Sequence, residues 1–316
     1  MTTAERYRRF GEAEARGWSP CYEEWSRGVA GDADVLALLD ELPEPKRQPN
    51  LLFTAARFAG IPAGPFPAFR DAVLANWSAV RNVVLTRRVQ TNEPGRCAVL
   101  LPLLASLPQP LALLEVGASA GLCLYPDRYS YRYSGHPRLG AKEPVIDCEI
   151  TGPVPVPTEL PRVVWRAGVD LNPLNVHNAD DVRWLETLVW PEQDNRRRRL
   201  AAAIDVARAE PARIVTGDLN ENVTALADTA PENATLVIYH SSVLPYLDDE
   251  SRAAFAATVR GIDARWIANE VPEALPLTAP PSPAPDRLMT LLALDGEPMA
   301  YAGAHGQSLH WLPGYH

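Results

Sequence analysis

Residues 111–122, Leu-Ala-Leu-Leu-Glu-Val-Gly-Ala-Ser-Ala-Gly-Leu, constrain the fold more than any other part of this chain. The run Leu111 to Leu114 has the character of a strand buried on both faces. Glu115 interrupts it near its C-terminal end, and Gly117, Ser119 and Gly121 make a turn of small residues. Leu122 to Leu124 can then open a helix. A strand feeding such a turn and a helix gathers backbone N–H groups and a helix N-terminus at one place, where small side chains let a ligand come close.

Two enzyme classes use nearly this string. Glu115-Val116-Gly117-Ala118-Ser119-Ala120-Gly121 resembles the first motif of class I S-adenosylmethionine-dependent methyltransferases, with Ser119 in place of a middle glycine. The resemblance implies S-adenosyl-L-methionine as cofactor, held by Glu115, Gly117, Ala118, Ser119 and Gly121, with the Glu115 carboxylate near the methionine ammonium. The same turn also spells Gly-x-Ser-x-Gly, the nucleophile elbow of α/β-hydrolases, and His240, His305 and His310 follow it. A carboxylate two residues before the first glycine raises the cost of ionising that serine. A hydrolase also needs strands and an oxyanion loop upstream, where this chain reads as helical. The methyltransferase reading is preferred, and a serine hydrolase stays as an alternative.

Composition narrows the field. A chain of 316 residues, 47% hydrophobic, has material for one large domain or two smaller ones. The net charge of −9 disfavours nucleic-acid binding through overall charge. Cys21, Cys97, Cys123 and Cys148 are scattered with no Cys-x-x-Cys pair, so no metal site is expected, and their scarcity fits a reducing cytoplasm. The first ten residues lack the apolar stretch of a signal peptide, and no run is long enough to span a membrane.

Periodicity divides the chain in two. Residues 1–108 read as a helical cap domain: a helix capped at Ser19-Pro20, then Asp32 to Leu42, Leu51 to Phe58, Asp71 to Arg88, and one from Glu93-Pro94 through Leu104. Residues 109–316 read as a Rossmann-like methyltransferase domain. Its expected strands are 111–116, 129–133, 163–169, 214–216, 236–239, 266–268, 288–294 and 308–312, with helical stretches at 180–190, 195–210 and 250–261. The alternation predicts a mostly parallel sheet with an antiparallel C-terminal hairpin turned near Asp295-Gly296. Pro137 to Pro161 and Pro272 to Pro285 each hold six prolines and read as loops or insertions.

Parallel sheets bind ligands beyond the C-terminal ends of their strands. Asp218, followed by Leu219, suits a carboxylate that accepts from an adenine amino group, or equally a helix N-cap. Asp170 suits ribose hydroxyls if its strand is the second of the sheet. If 129–133 is that strand, Ser134 takes the position. His240 and Tyr246 lie at the end of the fourth strand of the pattern, where a general base is expected. Asn92 and Arg96, in the polar segment 90–96, are the candidate substrate contacts, with Arg96 suited to a carboxylate.

Ser19-Pro20, Thr91-Asn92-Glu93, the 115–122 run, Arg166-Ala167-Gly168-Val169-Asp170, Trp184-Leu185, Trp190-Pro191-Glu192-Gln193 and Gly303-Ala304-His305-Gly306 together resemble a bacterial protein family of unknown function. The expectation is an S-adenosylmethionine-dependent transferase acting on a small molecule held between cap and sheet, by orientation and desolvation more than by side-chain chemistry. A nucleoside-binding scaffold without turnover is the alternative. No nucleic-acid or membrane partner is expected.

Overall fold

The computed structural model describes residues 1–276 and 289–313. Two compact units divide the chain: Met1–Thr91 with Ala179–Arg198, and Asn92–Asn178 with Arg199 onward. The second proline-rich stretch lies outside the described residues from 277 to its end.

The first unit is helical. It holds α1 (Thr3–Phe10), α2 (Pro20–Gly31), α3 (Ala33–Asp40), α4 (Pro49–Phe58), α5 (Phe66–Ala75) and α6 (Trp77–Thr86). The single helix expected over 71–88 is two, because Asn76 leaves helical geometry and its side-chain amide donates to the Ala72 carbonyl. Thr2 and Glu5 start α1 with a reciprocal capping box. Apolar rings make the core: Tyr7, Tyr22, Trp25, Phe53 and Phe69 are fully buried, and Trp25 stacks on Phe69 at 3.9 Å. Ser19 caps α2 by accepting from Tyr22 N–H, and its own hydroxyl donates to Glu192 at 2.7 Å. The other Glu192 oxygen accepts from Cys21 N–H. Two sequence motifs, with contacts between residues 173 and 171 positions apart, therefore serve one helix start.

The second unit is built on a ten-stranded sheet. Its strands are β1 (Leu111–Val116), β2 (Ser130–Tyr133), β3 (Val145–Thr151), β4 (Val163–Asp170), β5 (Arg213–Thr216), β6 (Thr235–Ser241), β7 (Arg265–Glu270), β8 (Met289–Leu294), β9 (Glu297–Gly303) and β10 (Ser308–Trp311), in the order β2-β3-β10-β9-β8-β7-β6-β1-β4-β5. From β5 to β7 the pairs are parallel, and β7-β8-β9-β10 is an antiparallel meander. Those five parallel strands, renumbered among themselves, run 3-2-1-4-5, the doubly wound order, so the switch point lies between β1 and β6.

Four details depart from the sequence pattern. β3 lies inside the first proline-rich stretch, where loop was expected. Pro144 and Pro153 flank it, and its alternation of buried Ile146 and Cys148 with exposed Asp147 and Glu149 suits a strand. β9 adds a strand to the C-terminal hairpin. β4, not β2, pairs with β1, so Asp170 rather than Ser134 ends the strand beside the glycine turn. The helix before β1, α7 (Cys97–Ser106), groups with the sheet and not with the helical unit.

The remaining helices are α8 (Ala179–Leu188), α9 (Asp194–Ala209), α10 (Leu219–Ala227) and α11 (Asp249–Arg260). Leu219, Val223 and Leu226 of α10 and Phe255 and Val259 of α11 pack with Leu114, Val116, Ala167, Val169, Ile238 and Ala268 on one face of the sheet. Strand pleating sends Leu113, Glu115, Arg166, Gly168 and Tyr239 to the other. No described helix is long and apolar enough to cross a membrane.

Candidate functional site

The glycine turn sits where a doubly wound sheet opens to ligands, but it is closed on itself. Gly117, Ser119 and Gly121 take positive φ of 70°, 51° and 71°. Gly117 and Ala118 N–H both donate to the Val169 carbonyl, at 2.8 and 3.2 Å. Ser119 N–H donates to Asp170 Oδ2, Gly121 N–H to the Ala118 carbonyl, and Leu122 N–H to Asn92 Oδ1. Gly168 lets the turn fold onto β4, since a Cβ there would stand 2.6 Å from Ala118 Cβ. The helix expected after the turn is a single 3-10 turn, Leu122–Leu124, so no long helix dipole points at this place.

Glu115 is 4% exposed, and its Oε2 has no hydrogen-bond partner among the described residues. Burial, more than the nearby Cys123 and Asp170, pushes its carboxyl well above the ordinary range, against the pull of Arg96. Burial thus favours the protonated form of this carboxyl group. The Ser119 hydroxyl is likewise buried without a partner. Asp170 ends β4 on the same face and holds two backbone donors, Ser119 N–H on Oδ2 and Asn172 N–H on Oδ1. Arg96 donates to the carbonyls of Ala304 and Ser241, both at 3.0 Å. Next to it Glu93, 3% exposed, accepts from Arg199 at 3.0 Å. A Cβ on Gly306 would lie 1.9 Å from the Gly95 carbonyl oxygen. Segments that looked unrelated in sequence, at 92–97, 115–123, 166–170 and 303–306, thus meet on one side of the sheet.

His240 is on the other side. It pairs in register with Val116, whereas Glu115 pairs with Tyr239, and alternation separates the two side chains by the sheet itself. His240 is fully buried. The Trp266 indole N–H donates to its Nε2 at 3.0 Å, which places the proton on Nδ1. Nδ1 lies 2.7 Å from Glu270 Oε1 and donates to it. Both nitrogens are engaged, so no lone pair remains for a substrate. Val243 N–H donates to both Glu270 oxygens, at 2.8 and 3.1 Å.

The other candidates scatter. Asp218 caps α10 by accepting from Asn220 N–H at 2.8 Å, the capping alternative weighed for it, and Leu219 is the first helical residue, turned into the core. Tyr246 lies in a 3-10 turn after β6 and is 73% exposed. With Leu171 after β4 and Val271 after β7 it makes three exposed apolar side chains following the carboxyl ends of parallel strands. Among the described residues the Ser119 hydroxyl meets no histidine, so the elbow-like string has no base there. Sequence reasoning gave no role to Trp266, Glu270 or Val243. Only strand pairing brings Trp266 and Glu270 to His240, and no local signal marks that.

Among the described residues, no group of three or more histidine, cysteine, aspartate or glutamate side chains is arranged to hold a metal ion. No curated protein matches the chain. A family model described as an uncharacterized protein conserved in bacteria matches residues 4–311, nearly the whole length. The chain belongs to that family, DUF2332.

Proposed function

We propose that this protein binds S-adenosylmethionine at the carboxyl edge of β1 and transfers a group from it to a small molecule. The observation that carries the reading is Glu115: a buried acid, at the switch point of a doubly wound sheet, with an oxygen that has no partner. Such an atom costs free energy unless something else pairs with it. The residues fit the cofactor's chemistry on two counts. A cationic group brought beside Glu115 favours its ionised form and offsets the burial. The Ser119 hydroxyl offers a second unpaired group a few residues on. S-adenosylmethionine, when bound, supplies an electrophilic carbon next to a sulfonium.

The protein's part is to bind, orient and keep water away. Asp170 fixes the turn against β4. Arg96 ties the end of β6 to the 303–306 loop. Leu171, Tyr246 and Val271 supply apolar surface for an acceptor. With His240 engaged on the far face, proton transfer by histidine is no part of the reading, and rate enhancement rests on alignment and desolvation. Nucleoside binding without turnover is the second reading, favoured by the engagement of His240 and by the Val243 side chain lying on Gly117.

Titration calorimetry with S-adenosylmethionine and S-adenosylhomocysteine tests the site. Wild type is expected to bind at least one of them, and Glu115→Gln to bind tenfold or more weakly, since a neutral amide cannot ionise toward the cation. Wild type giving no heat with either ligand overturns the cofactor assignment. Binding without methyl transfer to any of a panel of small nucleophiles favours the second reading.

A further inference from the structure

We infer that Val243 is a movable plug on the glycine turn, latched by Glu270 on the α10–α11 face of the sheet. A Cβ built on Gly117 would lie 2.4 Å from Val243 Cγ2. The valine side chain therefore fills the space directly above the first glycine, where a ligand resting on the turn has to lie. Val243 itself is only half-buried.

Ser242 N–H donates to the Asn269 carbonyl and Tyr246 N–H to the Val243 carbonyl, and the valine side chain packs at the edge of the α10–α11 core, while Glu270 holds the plug's own N–H. Val243 N–H is clamped between the two Glu270 oxygens. Glu270 is fixed in turn by His240, and His240 by the Trp266 indole. All of this lies on the face away from Glu115. Immediately before the plug, Ser242 has φ of 59°, the left-handed region that non-glycine residues adopt at a cost. Ser119, in the turn underneath, has φ of 51°. Apart from Asp295 in the hairpin turn, these are the described non-glycine residues with positive φ, and they follow the ends of the two strands that flank the switch point. A strained residue beside a carboxylate clamp on the next N–H is the arrangement expected of a segment with two positions, one held and one released. Releasing the clamp lets Ser242 relax and lifts Val243 from Gly117. The relay of Trp266, His240 and Glu270 then has a positioning role: it sets how much of the time the turn is covered.

This rests on the S-adenosylmethionine reading only for the choice of probe, and a ligand-free measurement tests it separately. Glutamine in place of Glu270 has one carbonyl oxygen for two fixed N–H donors, and its amide N–H₂ faces one of them. Hydrogen exchange of full-length protein without ligand should therefore quicken about tenfold in residues 242–247 of Glu270→Gln. Residues 235–240 of β6 and 265–269 of β7 should keep wild-type protection. Unchanged exchange in 242–247, or equal loosening of both strands, overturns the latch whatever the ligand. Calorimetry with S-adenosylmethionine then reads the plug. Val243→Ala should bind about tenfold tighter than wild type, and Val243→Ile several-fold weaker, with both variants melting as cooperatively as wild type. Affinities within twofold of wild type for both, or weakened in both, overturn the plug. If neither wild type nor Val243→Ala gives heat while the exchange contrast holds, the latch is supported and the S-adenosylmethionine reading falls.

Discussion

The two faces of the sheet around β1 solve the same problem in opposite ways. On the α10–α11 face, polar groups are buried as a connected network: the indole donates to the imidazole, and the imidazole and a backbone N–H both donate to the carboxylate. Each donor in that network has an acceptor. On the other face, a carboxyl group and a hydroxyl are buried with atoms left unpaired among the described residues. A completed network rigidifies, and an incomplete one holds free energy that another molecule can recover. The histidine, which looks like chemistry in the sequence, belongs to the completed side. The glutamate, which could pass for a simple interruption of an apolar strand, belongs to the open side.

Breaking the completed side should have the largest effect. Glu270→Ala leaves the His240 Nδ1–H and the Val243 N–H without acceptors in a dry interior and opens a small cavity. Urea unfolding should show a loss of about 3 kcal/mol. A loss under about 1 kcal/mol would mean that water already enters the network.

The open side should instead show a pH signature. The folded-state pKa of Glu115 is raised, so the folded protein keeps a proton that the unfolded chain has released. The stability this group contributes is therefore full at and below the ordinary carboxyl range and is lost as pH rises through the raised value. The slope from this group reaches at most about 1.4 kcal/mol per pH unit. Glu115→Gln, which cannot ionise, should track wild type near pH 4 and become the more stable of the two at neutral pH. Parallel unfolding curves from pH 4 to 8 would remove the contrast between the faces. Ser119→Ala should change least, within about 0.5 kcal/mol, because the hydroxyl removed has no partner to lose. A loss beyond about 1.5 kcal/mol would show that the hydroxyl is paired in solution.

Much of the second unit was legible because local pattern and global role agree there. β1 reads as an apolar run, the turn as small residues, and β4, β6 and β7 as short apolar segments before polar ones. Where composition and pairing disagree, the pattern misleads. β3 hides between prolines that only flank it. Pro298 sits within β9, and pairing with β8 and β10 carries the strand regardless. The face on which His240 lies depends on its register with Val116, which is set by residues more than a hundred positions apart. Asp218 was ambiguous from the start, since a strand followed by Gly-Asp-Leu describes an N-cap as well as a binding acid.

The sheet order also has a consequence for the time course of synthesis. β2 and β3 follow directly on the glycine turn in the chain, yet they join the sheet only through β10, the last strand described. On the ribosome they have α7 to pack on, where Tyr133 donates to the Ala98 carbonyl, but no strand of the main sheet to pair with until Ser308–Trp311 has been made, a wait of roughly 10–30 s at ordinary elongation rates. For that interval Tyr131, Tyr133, Ile146 and Cys148, all buried in the finished protein, belong to a two-stranded ribbon without a neighbouring strand. A ribbon of that kind is marginally stable in water. The segment leading away from the candidate site is thus among the last parts of the molecule to find its place, and it is the stretch that a nascent-chain chaperone would have most reason to hold.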